Sequence, residues 1–270
     1  MDGSTNSGLG GREPASGLVW DEGRLVSPHS TKDKADRVRR MFNAIAPTYE
    51  WVNSVASVGR DQSWRQEMVI LANPTAEDVL LDVACGTGDV ARTFADSPRR
   101  PGRIIGIDFA EEMLRRAVHR PIGGGLFAQA DALCLPVADG SVSIVTCAFG
   151  IRNFQNLSAG LAEMARALGP GGRAVLLEFS VPANVFLRYS YLIYFKWIMP
   201  WFATLMSRDR TGAYRYLPRS VVSFLPRQAI RSALEAAGFS QVGVHPRSCG
   251  VVCIYVATRN GASPKRNGGA

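Results

Sequence analysis

The chain has 270 residues, of which 46% are hydrophobic and 20% charged, with 12 Phe, 7 Tyr and 5 Trp; this composition builds one large packed core with accessory segments and excludes wholesale disorder, collagen and coiled coil. The net charge of +8 is uneven: residues 181–270 hold 12 Lys or Arg against only Asp209 and Glu235, so the first 180 residues are close to neutral. A basic final third suits an anionic membrane surface or nucleic acid, and equally a solvated face. Five cysteines without a CxxC pair argue against a disulfide framework or a zinc site, so no metal is expected. With no uncharged apolar run of membrane-spanning length and no targeting pattern at the start, the expected location is cytoplasmic.

In chain order, residues 1–30 hold six glycines and five serines among scattered acids and are expected to form a disordered arm. Apolar residues recur at helical spacing over 34–45 and 62–71, with Pro47 between them, which gives an N-terminal helical cap over 31–75. Short β-branched runs then predict strands at 79–84, 103–108, 126–131, 142–149 and 173–179, with helices near 89–95, 110–118 and 157–168. That alternation marks a parallel, doubly wound α/β core over 76–180. Gly169-Pro170-Gly171-Gly172 reads as a helix stop and turn. An aromatic and basic insert over 181–225, expected to be a helical lid, interrupts the rhythm. A helix over 226–237 and two strands near 241–247 and 250–258, separated by only a short turn, close the sheet as an antiparallel hairpin within 226–259. A loose tail follows over 260–270. A seven-stranded sheet ending in such a hairpin resembles class I methyltransferases, which are Rossmann-like, rather than hydride-transfer enzymes.

The segment Val79-Leu80-Leu81-Asp82-Val83-Ala84-Cys85-Gly86-Thr87-Gly88-Asp89 runs from a strand through a glycine turn into a helix. Backbone there can approach a ligand closely, and the helix N-terminus offers free N–H groups. Gly86, Gly88 and Ala91 also satisfy the G-x-G-x-x-A fingerprint of nicotinamide enzymes, and a purely structural turn would look the same. Two acids separate the readings. Asp108, ending the second strand, is placed to accept both ribose hydroxyls of an adenosine. Asp131, ending the third with Ala132 beside it, is placed to accept from the adenine amino group. Together with Asp82 inside the first strand they suit S-adenosyl-L-methionine, which carries cationic sulfonium and ammonium groups and no pyrophosphate; each acid alone could instead cap a following helix.

These residues stand within a wider resemblance, from about Lys34 to Thr258, to the ubiquinone and menaquinone biosynthesis C-methyltransferases. Tyr49, Asn53, Ser57, Gly59 and Trp64-Arg65 fall on that family's Y-D-x-x-N-x-x-x-S-x-G-x-H-x-x-W-R/K signature, with Glu50 in place of Asp and Asp61 in place of His. Phe149-Gly150-Ile151-Arg152-Asn153 matches F-G-I/L-R-N, Pro170-Gly171-Gly172 with Leu177-Glu178-Phe179-Ser180 matches P-G-G and L-E-F-S, and Tyr214-Arg215-Tyr216-Leu217 with Ser220 matches Y-R-Y-L-x-x-S. Ala148 stands where many relatives have serine, so no side-chain hydroxyl is available there.

The resemblance implies methyl transfer from S-adenosyl-L-methionine to a ring carbon of a demethylated polyprenyl quinol, demethylmenaquinol first. The alternative acceptors are another lipophilic small molecule or a nucleic acid. Ionisation of the neighbouring phenol, whose unperturbed pKa is about 10 by analogy with tyrosine, would make that carbon nucleophilic. Arg152 is then expected to stabilise the phenolate, Asn153 to orient the ring oxygen, Tyr49 to close the pocket, and Asp61 or water to take the proton. The plainer alternatives are a loop salt bridge for Arg152, a turn or cap for Asn153 and core packing for Tyr49.

Residues 186–202 contain Phe186, Tyr189, Tyr191, Tyr194, Phe195, Trp197, Trp201 and Phe202, interrupted by Arg188, Lys196 and Pro200. An amphipathic lid that shelters a prenyl tail and rests peripherally on the inner face of the membrane is one expectation; a core helix or a homodimer contact is the other. Nucleic acid is not the expected partner, because the loop after the fourth strand lacks the D/N-P-P-Y/F sequence of exocyclic amine methylases.

Overall fold

The computed structural model describes residues 19–21, 23–57, 59–123, 125–193 and 212–261. Seven strands form one sheet in the order β3-β2-β1-β4-β5-β7-β6: β1 Val79–Val83, β2 Arg103–Asp108, β3 Gly125–Gln129, β4 Val142–Ala148, β5 Leu168–Phe179, β6 Phe239–Arg247 and β7 Val252–Arg259. The first five pair in parallel, while β7 runs antiparallel to both β5 and β6. The expected closing hairpin is therefore present, turned by residues Ser248–Gly250.

The central strands are largely apolar on both sides because helices cover both faces. On one face Leu81, Val83, Val145 and Leu176 pack with Leu161 and Met164 of α6 (Leu157–Ala167) and with Ile230 and Leu234 of α9 (Arg227–Ala236). On the other, Leu80, Ile144, Val175 and Ile254 pack with Trp64 and Met68 of α3 (Asp61–Ala72) and Phe94 of α4 (Asp89–Ala95). A third core lies beyond the sheet. It joins Val38, Met41, Phe42 and Ile45 of α1 (Lys34–Ile45), which recur at helical spacing, to Met113 of α5 (Glu111–Val118) and to Tyr216 and Leu217 of α8 (Ala213–Val222). This third core is the cap over the carboxyl ends of the strands.

Four expectations change. The arm is not disordered over its last part: Trp20 is fully buried with its ring stacked 4.3 Å from Tyr216, and Leu25 is buried in the same cluster. Gly212 (φ +80°) admits this strap, since a Cβ there would lie 2.7 Å from the Trp20 carbonyl oxygen. Two large apolar side chains are enough to anchor a stretch whose average polarity hides them. Second, the cap contains an additional helix, α2 (Tyr49–Ala56), beyond Pro47. Third, the helix does stop ahead of Gly169–Gly172, at Ala167, but the turn they form lies inside β5 rather than before it. Leu168 already pairs with Val142 and the next pair is Arg173 with Ile144, so the glycines form an irregularity inside the ladder. Fourth, the stretch expected as a lid divides. It contains α7 (Val185–Ile193), but α8 belongs to the core of the cap. Residues 1–18, the aromatics Tyr194, Phe195, Trp197, Trp201 and Phe202, and the tail from 262 lie outside the described residues. Among those described, no helix is long and apolar enough to cross a membrane.

Candidate active site

The helices following β1 and β4 lie on opposite faces of the sheet, so a crevice opens between the carboxyl ends of these adjacent strands. Both strands end in a non-glycine residue with left-handed backbone, Ala84 (φ 55°) and Phe149 (φ 57°). Such geometry is costly and persists where the surroundings over-determine it. At Phe149 they do: its N–H donates to the Leu177 carbonyl (2.7 Å), and its own carbonyl accepts from Arg152 Nη1 (2.6 Å) and Asn153 Nδ2 (3.2 Å).

A first cavity of about 680 Å³ fills the crevice. Its floor comes from the loops after β1 to β4, including Gly86, Asp108, Asp131, Ala132 and Phe149, and its roof from Ala35, Phe42 and Tyr49 of the cap. Asp108 is buried, and its carboxylate accepts from the N–H of Gly86 and of Ala110, both at 2.8 Å. Burial pushes its pKa up to about 6 against the pull of those hydrogen bonds. Asp131, which follows the neighbouring strand β3, is exposed and accepts from the Leu133 N–H at 2.9 Å. The lining side chains include these two acids and no Lys, Arg or His.

Of the residues expected around the cofactor, Gly86, Asp108, Asp131 and Ala132 come together on this wall, whereas Asp82, Thr87 and Gly88 do not. Asp82 shares its strand face with Leu80, so it points beneath the glycine loop rather than into the crevice. There its Oδ1 accepts from Thr146 Oγ1 (2.8 Å) while Oδ2 has no hydrogen-bond partner, and burial pushes its pKa up to about 7. Thr87 is buried and turned toward Asp89 (3.4 Å). Gly88 (φ +82°) shapes the turn from below, where a Cβ would come within 3.0 Å of the Phe127 ring.

A second cavity of about 550 Å³ adjoins the first and shares Tyr49 and Phe149 with it. Asn53, Ser57, Asp61, Trp64 and Arg65 line one side, Arg152 and Phe179 another, and Leu217 and Val221 of α8 a third. Its character is aromatic. Phe149 and Phe179 stack at 4.4 Å, and Trp64 meets both edge-on at 6.2 and 6.5 Å. Arg152, 3% exposed, lies 5.5 Å from the centre of the Phe179 ring.

The loop salt bridge exists: Arg152 Nη1 bonds Glu178 Oε1 at 2.7 Å, and the Arg152 N–H reaches Glu178 Oε2 at 3.3 Å. Burial disfavours the guanidinium charge, but the Glu178 carboxylate together with Tyr216 and Tyr49 holds its pKa above the ordinary arginine value. Nε of the same guanidinium is buried without a hydrogen-bond partner. Asn153 sits on the first cavity, not the second, with its amide bonded to the Phe149 carbonyl and to the Tyr216 hydroxyl (2.9 Å). Tyr49 meets Phe42 edge-on at 5.7 Å and stands between the two spaces. Asp61 lines the second cavity, but its carboxylate is engaged by Ser57 Oγ (2.8 Å) and by Arg65. Sequence reasoning missed Glu178 as a site residue, although a lone acid in an apolar strand run was a usable signal. Lys34, whose ammonium bonds the carbonyls of Arg152 and Phe154, gave none. Among the described residues no three of His, Cys, Asp and Glu converge to hold a metal ion.

Comparison with known proteins agrees with this fold. In the solved structures, the 4+2 cyclase SpnF aligns with a TM-score of 0.58 at 16% identity, over 84% of this chain and 97% of that one. Phosphoethanolamine N-methyltransferase 2 of Haemonchus contortus, in complex with S-adenosyl-L-methionine, aligns with a TM-score of 0.54 at 14% identity, over 73% and 52%. At such identity these likenesses establish the fold, and a cyclase among them shows that the fold alone does not fix the reaction. Sequence relatives go further. A demethylmenaquinone methyltransferase of Thermus thermophilus is 42% identical over 223 residues, covering 81% of this chain and 100% of the relative. The ubiquinone/menaquinone biosynthesis C-methyltransferase UbiE of Geobacter sulfurreducens is 35% identical over 241 residues, covering 87% and 93%. Residues 30–259 match the family model as a whole, and the chain therefore belongs to the ubiE/COQ5 methyltransferase family.

Proposed function

We propose that the first cavity holds S-adenosyl-L-methionine and the second the ring of a demethylated prenyl quinol, demethylmenaquinol first, which is methylated on carbon. The residues of the first cavity fit that cofactor: two acids and no cation line it, which suits a ligand of net positive charge with no phosphate. Asp108 keeps unused lone pairs for ribose hydroxyls, Asp131 would accept from the adenine amino group, and Phe42, Met113 and Ala132 offer an apolar shelf. When bound, the cofactor supplies a methyl group activated by its positive sulfur.

The observation that carries the reading is the second cavity, an aromatic cage joined to the first at Tyr49 and Phe149 and holding a buried guanidinium with an unpartnered Nε. Trp64, Phe149 and Phe179 suit a flat ring. Glu178 fixes one edge of Arg152 and leaves Nε for an ionised ring oxygen, a preorganised donor of the kind that lowers barriers where charge develops. Because Asp61 is engaged by Ser57 and Arg65, the phenolic proton, and after methyl transfer the proton of the methylated ring carbon, pass to solvent rather than to a free carboxylate. The test is incubation of the purified protein with methyl-labelled S-adenosyl-L-methionine and a reduced, short-chain demethylmenaquinol. Label on the ring carbon supports the assignment; no transfer, or transfer to oxygen or nitrogen, overturns it.

We also propose a peripheral contact with the inner face of the membrane through α7. Phe186 and Tyr189 there are 87% and 70% exposed, Val185 is exposed beside them, and the final third of the chain is basic.

A further inference from the structure

Lys34 opens α1 and is 3% exposed, yet no carboxylate lies within ion-pair distance of it among the described residues. The acids nearest in sequence are turned elsewhere, Asp33 to Arg37 and Asp36 to Arg39. Its ammonium donates instead to the carbonyls of Arg152 (2.9 Å) and Phe154 (2.6 Å), on the loop after β4. Beside it the Ala35 N–H donates to Gln155 Oε1 (2.9 Å), and Gln155 Nε2 donates to the Thr31 carbonyl (3.2 Å). These four bonds form a seam between two walls of the first cavity, the cap (Ala35, Phe42, Tyr49) and the loop (Asn153, Phe154, Gln155).

The groups facing Lys34 supply it with no counter-charge. From the strap, His29 approaches with Nδ1 at 3.4 Å while its Nε2 lies 2.9 Å from the Ser220 carbonyl of α8, and burial lowers its pKa, favouring the neutral ring. From the loop comes Arg152, a like charge, backed by Glu178 of β5 and by Tyr216 of α8. Two carbonyls give an ammonium good charge-assisted hydrogen bonds but no neutralising charge, so burial remains costly and opening the seam returns it to water. A carboxylate at this point would have locked cap and loop together.

We propose that Lys34 is a positioning residue that holds the seam closed and so governs how tightly the cap grips the ligand of the first cavity. The inference rests on the reading of that cavity as the adenosyl site. A second consequence follows from its ionisation. Burial, with Arg152 adding to it, lowers the Lys34 pKa to about 8 in the closed form. In an open, hydrated form it returns toward the ordinary lysine value, so raising the pH discharges the closed form first and favours closure.

The experiment uses the full chain with S-adenosylhomocysteine as probe, following affinity by calorimetry and release by stopped flow at about pH 7 and about pH 9, values chosen to bracket the Lys34 transition. Lys34→Met should weaken binding roughly ten- to a hundredfold, chiefly through faster release, and Lys34→Arg should recover part of the loss. Release from the wild type should slow several-fold between about pH 7 and about pH 9, and that change should vanish in Lys34→Met. The wild-type measurement needs no variant, so a misfolded Lys34→Met leaves it standing as a test. Affinity of a folded Lys34→Met within about twofold of wild type, or wild-type release that quickens with pH, overturns the role of Lys34. A wild type that binds no S-adenosylhomocysteine overturns the cavity assignment itself, and this proposal with it.

Discussion

The first cavity is floored by loops that each follow a parallel strand, whereas the second is assembled from α2, α3, the loop after β4, the end of β5 and α8. The floor of the first therefore inherits its geometry from the sheet. Once β1, β2 and β3 are in register, Gly86, Asp108 and Asp131 arrive side by side without further device. The second needs long-range ties to hold its shape, Arg152 to Glu178 and Trp64 to the Ser248 hydroxyl. It follows that damage to the second space should register in stability as well as in activity, while damage to the first should register mainly in ligand affinity.

The largest expected effect breaks the central tie. Glu178→Ala leaves the Arg152 guanidinium buried without its counter-charge, and stability should fall by about 3–5 kcal/mol in denaturant unfolding. The double variant Glu178→Ala, Arg152→Met removes both charges and should recover part of that loss. If the single and double variants are equally destabilised, the pair is held by packing and not by its charges.

Asp82 sharpens the contrast from the other side, as a strained group under the sheet-built floor. Its pKa is raised by burial from the usual 3.8 to about 7, and that of Asp108 likewise to about 6. The folded state therefore binds these protons more tightly than the unfolded state does. Their stabilising contribution is complete below the unfolded value and is lost as pH rises through the folded values, that is, from about 4 to about 7. Asp82→Asn, which is never ionised, should lack its share of this decline, so its stability relative to wild type should rise across that window by on the order of 2–4 kcal/mol. Parallel pH–stability curves would mean that Asp82 is hydrated or paired in solution.

These differences also mark what could be read from the chain. The sheet, its closing hairpin and the acids at two strand ends were legible, because apolar period and turn residues are local signals and a strand's end is fixed by its own sequence. Asp82 lies in the strand as expected but lines neither cavity, because the two-residue period of β1 sets its side chain beneath the loop. The second cavity was legible only through motif residues such as Trp64, Phe149 and Arg152; what joins them was not. Glu178 lies 26 residues from Arg152, and Lys34 lies 118 from the carbonyl it bonds. Neither partner changes any local pattern of the other. Trp20 escaped for the same reason, since its partner Tyr216 belongs to a helix that pairs with it only in the folded cap.

Two smaller effects separate the cavities directly. Asp108→Ala should weaken S-adenosyl-L-methionine binding by roughly ten- to a hundredfold, the worth of a buried charged hydrogen bond of about 1.5–3 kcal/mol, with little change in the acceptor KM. Arg152→Lys should do the reverse. It should bind cofactor normally and lose about tenfold or more in kcat, because a point charge cannot hold Glu178 and the Phe149 carbonyl and also present the free Nε edge. Collapse of cofactor affinity in Arg152→Lys would move that residue into the first site.

The smallest effect concerns α7, which belongs to neither cavity. Its exposed Phe186 and Tyr189 stand beside Arg188 on a helix of which Tyr191 is buried. Such a face can enter the headgroup region while a cation meets anionic lipid, each contact contributing on the order of 1 kcal/mol, and the ionic part should weaken as salt shortens the Debye length. Co-sedimentation with vesicles rich in anionic lipid should therefore fall from low to high salt. The pair Phe186→Ser, Tyr189→Ser should lower binding several-fold at both, because the apolar part is indifferent to screening. Turnover of a long-tailed quinol should drop with it, while a water-soluble short-chain analogue, which has no need of the membrane, should be methylated as before. Equal losses on the two substrates, with no vesicle binding at any salt concentration, would assign this face to a contact between proteins and leave the route of the prenyl tail to another surface.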